Sequence, residues 1–161
     1  MSKIKQLLKS DDTVLVFDID GVLALLEFGE YNHYDLDDEK WNQATSEGIN
    51  YYDEFKVSKK MQKFLSNKNM NNIYVITTSA NKNEEEIKKQ YVNRYYNIKK
   101  ENVFNVFNKK NKIDKLKIIK EKYPELEDYK IVMIDDTVEI LNVIMDNTNF
   151  STVHISSFLD I

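Results

Sequence analysis

The 161-residue chain has no cysteine, one proline (Pro124), one arginine (Arg94) and three glycines. Without cysteine there are no disulfides, no thiol nucleophiles and no zinc sites built on thiolates, which agrees with a reducing, cytoplasmic setting. The glycines (Gly21, Gly29, Gly48) and the lone proline are too scattered to form a linker. No internal repeat or low-complexity segment divides the chain, so it reads as one domain over 1–161. Apolar runs are only a few residues long, too short to cross a bilayer. The opening MSKIKQLLKSDD lacks the apolar core of a secretion signal. Net charge is −4, so there is no global pull toward nucleic acid, and any polyanion site has to be a local patch.

What is present is the composition of a folded domain, 42% hydrophobic and 31% charged. Thr13–Phe17, Ile73–Ile76 and Ile131–Ile134 are continuous apolar stretches, the pattern of strands covered on both faces. Val103–Phe107 and Thr152–Ile155 read as further strands. Helices are expected at Lys3–Lys9, after Asp37 or Asp38 as N-cap with Trp41 inside, and after Ser58 with Met61, Phe64 and Leu65 at helical spacing. Further helices fit Asn81–Tyr96, with acids in its first turn, residues 112 to 123, closed by Pro124, and the stretch through Ile140, Leu141 and Ile144. Strands alternating with helices predict an α/β fold with a mainly parallel sheet, whose ligands sit beyond the carboxyl ends of the strands.

Those strand ends carry the chemistry. In chain order they present Asp18 and Asp20, then Thr77, then the Lys112 region, then Asp135 and Asp136. Right-handed crossovers bring the first, second and fourth ends to one edge of the sheet. Four carboxylates gathered there repel one another unless a cation offsets them. A hard divalent ion with oxygen ligands, most simply Mg²⁺, does so and leaves positions for water and a phosphate oxygen. With a lysine and a hydroxyl added, the set suits phosphoryl transfer.

In these four motifs, FDIDGV at 17 to 22, Thr77 in IYVITTSA, Lys112 in NKIDKLKII and VMIDDT at 132 to 137, the chain resembles the haloacid dehalogenase (HAD) superfamily. The resemblance covers about residues 13 to 145. It implies a three-layer Rossmann-like fold and Mg²⁺-dependent phosphatase activity. Asp18 would be the nucleophile that forms an aspartyl-phosphate, and Asp20 the general acid and base. Mg²⁺ would be held by Asp18, the Asp20 carbonyl and one or both of Asp135 and Asp136. Thr77, with Thr78 next in line, and Lys112, with Lys115 as its alternative, would hold the phosphoryl oxygens. Gly21 would let the chain turn beside the phosphate.

Members of this superfamily usually choose substrates with an inserted cap. The stretch from Asp20 to Thr77 leaves room only for a flap and two short helices, an insert of about 23–56. The expected site is therefore open, bordered by Tyr31, Tyr34, Trp41, Tyr51 and Tyr52, rings able to stack on bases. The layout is loosely similar to the phosphatase half of polynucleotide kinase/phosphatases and to small nucleotidases. The expected partner is a phosphorylated small molecule, nucleotide or nucleic-acid end, with no membrane and no obligatory protein partner. His33 and His154 read as structural or surface residues, Trp41 as core or flap packing, and Glu139 as a weaker supporting acid. The alternatives are a catalytically idle HAD-fold binding module and a phosphotransferase using the same aspartyl-phosphate.

Overall fold

A computed structural model describes residues 3–25 and 37–159. Along the chain run α1 (Lys3–Lys9), β1 (Val14–Phe17), β2 (Ala24–Leu25), α2 (Asp38–Ser46), β3 (Lys56–Val57), α3 (Lys59–Leu65) and β4 (Ile73–Thr78). Then follow α4 (Lys82–Tyr96), β5 (Val103–Val106), α5 (Lys112–Glu121), β6 (Ile131–Asp135), α6 (Val138–Asn147) and β7 (Ser151–His154). Five strands form one sheet in the order β5-β4-β1-β6-β7, with every neighbouring pair parallel. The fold is α/β, with helices on both faces of this sheet.

Strand alternation divides the core into two layers. Leu15 and Phe17 of β1 face one side with Val75, Val132 and Ile134, packed against Leu8, Met61, Leu65, Tyr91, Val92 and Tyr96 from α1, α3 and α4. Val14 and Val16 face the other side with Tyr74, Ile76 and Met133, against Leu116 and Ile119 of α5 and Ile140, Leu141 and Ile144 of α6. All four residues of β1 are buried, which explains the unbroken apolar run in the sequence. Each such side chain contributes about 1.5–3 kcal/mol on leaving water.

β4 runs two residues beyond the expected Ile76, because Thr77 and Thr78 pair with Asn105 and Val106 of β5. β-Branched residues suit an extended, half-buried backbone, so the apolar-to-polar change does not end the strand. The insert is closed at its base by β2 and β3, an antiparallel pair with Ala24 opposite Val57. Tyr31, His33 and Tyr34 lie outside the described residues. Among the described residues, no helix is long and apolar enough to cross a membrane.

The insert is docked on the main body through polar helix ends. Asp37 caps α2, its side chain accepting from the Lys40 amide at 2.9 Å. Asn81 caps α4 by accepting from the Glu84 amide at 3.0 Å. The Asn81 amide nitrogen also donates to Asn42 Oδ1 at 2.9 Å and to Thr45 Oγ1 at 2.7 Å, both on α2. One side chain therefore ends one helix and holds another. Asn81→Ala is expected to lower unfolding free energy by about 1–2 kcal/mol in a urea titration, the loss of a cap and its cross-links. An unchanged midpoint would show that α2 is held by other contacts.

Candidate functional site

Strand register builds the site. Phe17 lies opposite Ile134 in the parallel β1–β6 pair. The Asp18 amide donates to the Ile134 carbonyl at 2.9 Å, so the chain is still in the sheet at that residue. Asp18 and Asp135, next in their strands, therefore emerge side by side at the carboxyl edge, and Asp136 follows one residue on. Asp18, Asp135 and Asp136 each present an oxygen, the three lying within 4.8 Å of one another.

Lys112, the first residue of α5, is 2% exposed and reaches into this group. Its Nζ lies 2.7 Å from Asp135 Oδ2 and 3.2 Å from Asp18 Oδ2. Asp135 Oδ1 accepts from the Thr137 amide at 2.9 Å, so both oxygens of this fully buried carboxylate are satisfied. Asp18 Oδ1 is buried with no hydrogen-bond partner. Burial pushes the Asp18 carboxyl up to about 6; Lys112 pulls it down, and Asp135 and Asp20 push it further up. Burial, then Asp135, also raises Asp136. Burial pulls Lys112 down, yet Asp18 and Asp135 outweigh it and its affinity for the proton rises. One ammonium among three carboxylates leaves excess negative charge in a half-dry site. The free Asp18 oxygen and the all-oxygen donor set fit a hard divalent cation.

Asp20 stands apart from this cluster. The loop after β1 closes tightly, with the amides of Leu23 and Ala24 each donating to the Ile19 carbonyl at 2.8 Å. Gly21 takes a φ of +73°, and a β-carbon there would lie 2.1 Å from Asp136 Oδ2. Glycine is required here both by the left-handed backbone and by the approach of the acid. Asp20 Oδ2 pairs with Lys88 Nζ at 2.8 Å, and Asp20 Oδ1 accepts from the Tyr52 hydroxyl at 2.6 Å.

These groups open onto a cavity of about 520 Å³ that Asp18, Asp20, Lys88, Lys112 and Asp136 line. Thr78 and Ser79 line it as well; Thr77 does not. Alternation turns Thr77 to the face opposite Thr78, and β4 ends at Thr78, so Ser79 is not bound by that alternation. The Thr77, Thr78 and Ser79 hydroxyls are all buried without partners. Lys115 is not among the residues lining the cavity, whereas Lys112 is.

The sequence matches no protein-family model and no curated protein. Among solved structures, the chain is similar to DsGPDH of Dunaliella salina, with a TM-score of 0.56 and 14% identity over 94% of this chain. It spans 25% of the length of that protein. It is also similar to the HAD domain of the effector protein Lem4 from Legionella pneumophila, with a TM-score of 0.47 and 14% identity, covering 88% of this chain and 84% of that one. At such identity the DsGPDH likeness speaks to the fold alone.

Other expected residues serve the framework. Trp41 stacks on Tyr51 with ring centroids 4.8 Å apart and meets Tyr52 edge-on at 6.3 Å. Tyr52 itself is buried, its hydroxyl spent on Asp20. His154 sits behind the acids, with Nε2 3.0 Å from the Asp136 carbonyl. Glu139 is exposed on the first turn of α6. Trp41, half-buried, also lines the cavity; among the described residues the exposed aromatic there is Phe107, 64% accessible, with Lys109 and Ile140 lining the same cavity.

Sequence reasoning missed Lys88, Glu84 and Ser79, and it read Tyr52 as a stacking ring where the structure has its hydroxyl on Asp20. A signal for the first two existed. Glu84 and Lys88 stand on the same helical stripe as Tyr91, Val92 and Tyr96, all five buried in α4. A charged pair on an apolar stripe is a reason to expect a buried partner.

Two outcomes follow from this geometry. Gly21→Ala is expected to lower stability by at least about 1–2 kcal/mol and to displace Asp136, read by thermal unfolding and a crystal structure of the variant. The raised Asp18 pKa means that folding favours its neutral form. That contribution is complete below the ordinary value of 3.8 and is lost as pH rises through about 6. Asp18→Asn removes this dependence, so without divalent cations the variant's stability relative to wild type should grow between about pH 4 and about pH 7. A difference flat with pH would contradict the burial argument.

Proposed function

We propose that the chain is a Mg²⁺-dependent phosphomonoesterase of the HAD type, working through an aspartyl-phosphate on Asp18. The observation that carries this reading is Asp18 Oδ1, a buried carboxylate oxygen without a partner, beside two further acids and a lysine that neutralises only part of their charge. A carboxylate kept for structure alone would have both oxygens satisfied, as Asp135 does.

The roles follow from chemistry and position. Asp18 Oδ1 attacks phosphorus, and the bond from phosphorus to the leaving oxygen breaks. Asp20, two residues on and at the same cavity, gives its proton to that oxygen. As a carboxylate it then takes a proton from water, which attacks the aspartyl-phosphate, frees Asp18 and releases inorganic phosphate. The Thr78 and Ser79 hydroxyls and the Lys112 ammonium, which line the same cavity, would donate to the phosphoryl oxygens. Asp18, Asp135 and Asp136 would hold Mg²⁺, which supplies charge compensation for the phosphoryl group.

For the substrate, the reading is a nucleotide or a polynucleotide end. Phe107 offers an exposed ring at the cavity, Lys109 a cation beside it, and Ile140 an apolar neighbour. This trio suits a leaving group that is flat on one side and anionic on another.

The purified chain with Mg²⁺ is expected to release phosphate from an aryl phosphate and from nucleoside monophosphates, and EDTA should abolish it. Asp18→Asn should lose at least about a thousandfold in kcat, and Lys112→Met a comparable amount. Full turnover by Asp18→Asn would overturn the mechanism. In the same assay, Phe107→Ala should raise KM for nucleoside monophosphates several-fold and leave the aryl ester nearly unaffected.

A further inference from the structure

Lys88 is the most deeply committed charge in the protein outside the carboxylate cluster. It lies in the middle of α4, is 1% exposed, and has three polar partners, one on α4 itself and two on other elements of the chain. Its Nζ is 2.8 Å from Asp20 Oδ2, 2.8 Å from Glu84 Oε1, and donates to the Thr78 carbonyl. Glu84, itself 3% exposed, accepts from the Ala80 amide at 2.7 Å through its other oxygen. The pair thus spans from Asp20 to both ends of the loop Thr78–Ala80. A third element joins from the insert, where the Tyr52 hydroxyl donates to Asp20 Oδ1 at 2.6 Å and the Lys88 ammonium sits 5.6 Å from the Tyr52 ring centroid.

Stability alone is a poor reason for this arrangement. A buried ion pair roughly offsets its own desolvation, and an apolar residue packed on the Tyr91–Val92 stripe would serve the core at least as well. What the arrangement does accomplish is geometric. Both oxygens of Asp20 are held by donors that approach from different elements, so the carboxylate has one orientation. Each oxygen retains a further lone-pair direction for the proton it has to exchange. Held this way, Asp20 stays at a fixed offset from the loop whose hydroxyls face the same cavity.

We infer that Lys88 is a positioning residue for Asp20, with Glu84 and Tyr52 completing a clamp that registers the proton-transferring carboxylate against the Thr78–Ala80 loop. The inference rests on the phosphatase reading above and deepens it: the residues that orient the acid come from α4 and the insert, not from the four motifs at the strand ends. Orientation of a reacting group to within a fraction of an ångström is worth orders of magnitude in rate, so loss of the clamp falls on the steps that need Asp20. Those steps are protonation of the leaving oxygen and activation of water. Attack by Asp18 on phosphorus does not need it.

The test exploits that separation. Wild type, Lys88→Met and Tyr52→Phe are assayed with Mg²⁺ on 4-nitrophenyl phosphate, whose leaving group departs without a proton, and on an alkyl phosphate, whose leaving group requires one. In Lys88→Met, kcat/KM for the alkyl ester is expected to fall at least about tenfold more than for 4-nitrophenyl phosphate. With 4-nitrophenyl phosphate, acid-quenched Lys88→Met should accumulate phosphoenzyme, because water activation is slowed after the first step. In an Asp20→Asn background, Lys88→Met should have no further effect. Equal losses on both esters, or additivity with Asp20→Asn, would overturn the inference and leave Lys88 a structural residue. Tyr52→Phe removes only one hydroxyl, and it has to shift the ester preference in the same direction even if Lys88→Met does not fold. Wild type inactive on every ester overturns the phosphatase reading and this inference together. An active wild type with unaltered ester preference in both variants overturns this inference alone.

Discussion

The parallel register of β1 and β6 is the constraint on which the rest of the site depends. Pairing Phe17 with Ile134 makes the next residues, Asp18 and Asp135, neighbours across the ladder, and directly adjacent like charges are unfavourable. The arrangement is tolerated because Lys112 enters from the helix layer and touches both. The arrangement is incomplete even so, with Asp18 Oδ1 unsatisfied and its carboxyl pushed up to about 6, chiefly by burial. A site held in this state could hold a metal ion.

A second lysine solves a second problem. Asp20 lies two residues beyond Asp18, at the start of the tight turn through Gly21, where Lys88 and Tyr52 receive it. The two acids of DID are thereby drawn into different surroundings. Asp18 belongs to a cluster short of positive charge, whereas Asp20 belongs to a closed hydrogen-bonded set. On the proposed phosphatase reading, this division of two carboxylates into different environments would let one site provide a nucleophile and a proton carrier. The insert takes part in this division, since Tyr52 comes from it and Asn81 fastens it to the start of α4.

Much of this was legible in the residues. Continuous apolar runs marked β1, β4 and β6, because strands buried on both faces need no polar alternation. Asp37, with Asp38 as its alternative, and Ser58 were legible as caps, since a short acceptor side chain before an amphipathic run satisfies free amides, whereas Asn81 was legible only as the start of its helix. Acids at two strand ends, with Lys112 just ahead of the second, are the groups that the fold brings together. Less legible was which of Thr77 and Thr78 faces the cavity, as the strand continues through both and alternation decides between them. Among the described aromatics of the insert, Trp41, Tyr51 and Tyr52 pack on one another while Trp41 also lines the cavity, and Phe107, from outside the insert, is an exposed ring there.

By itself, the sequence determined the α/β order of elements, the buried strands and the acids at their ends, because these follow from local periodicity and from the exclusion of charge from apolar runs. Tertiary structure alone decided which charges meet. Lys88 and Asp20 are distant in the chain, as are Tyr52 and Asp20, and their contacts exist only because α4 and the insert close over the turn at Gly21. Helical spacing can show that Lys88 shares a stripe with Tyr91 and Val92. It cannot show what lies across from that stripe, and for a buried ammonium the group across from it is what sets its role.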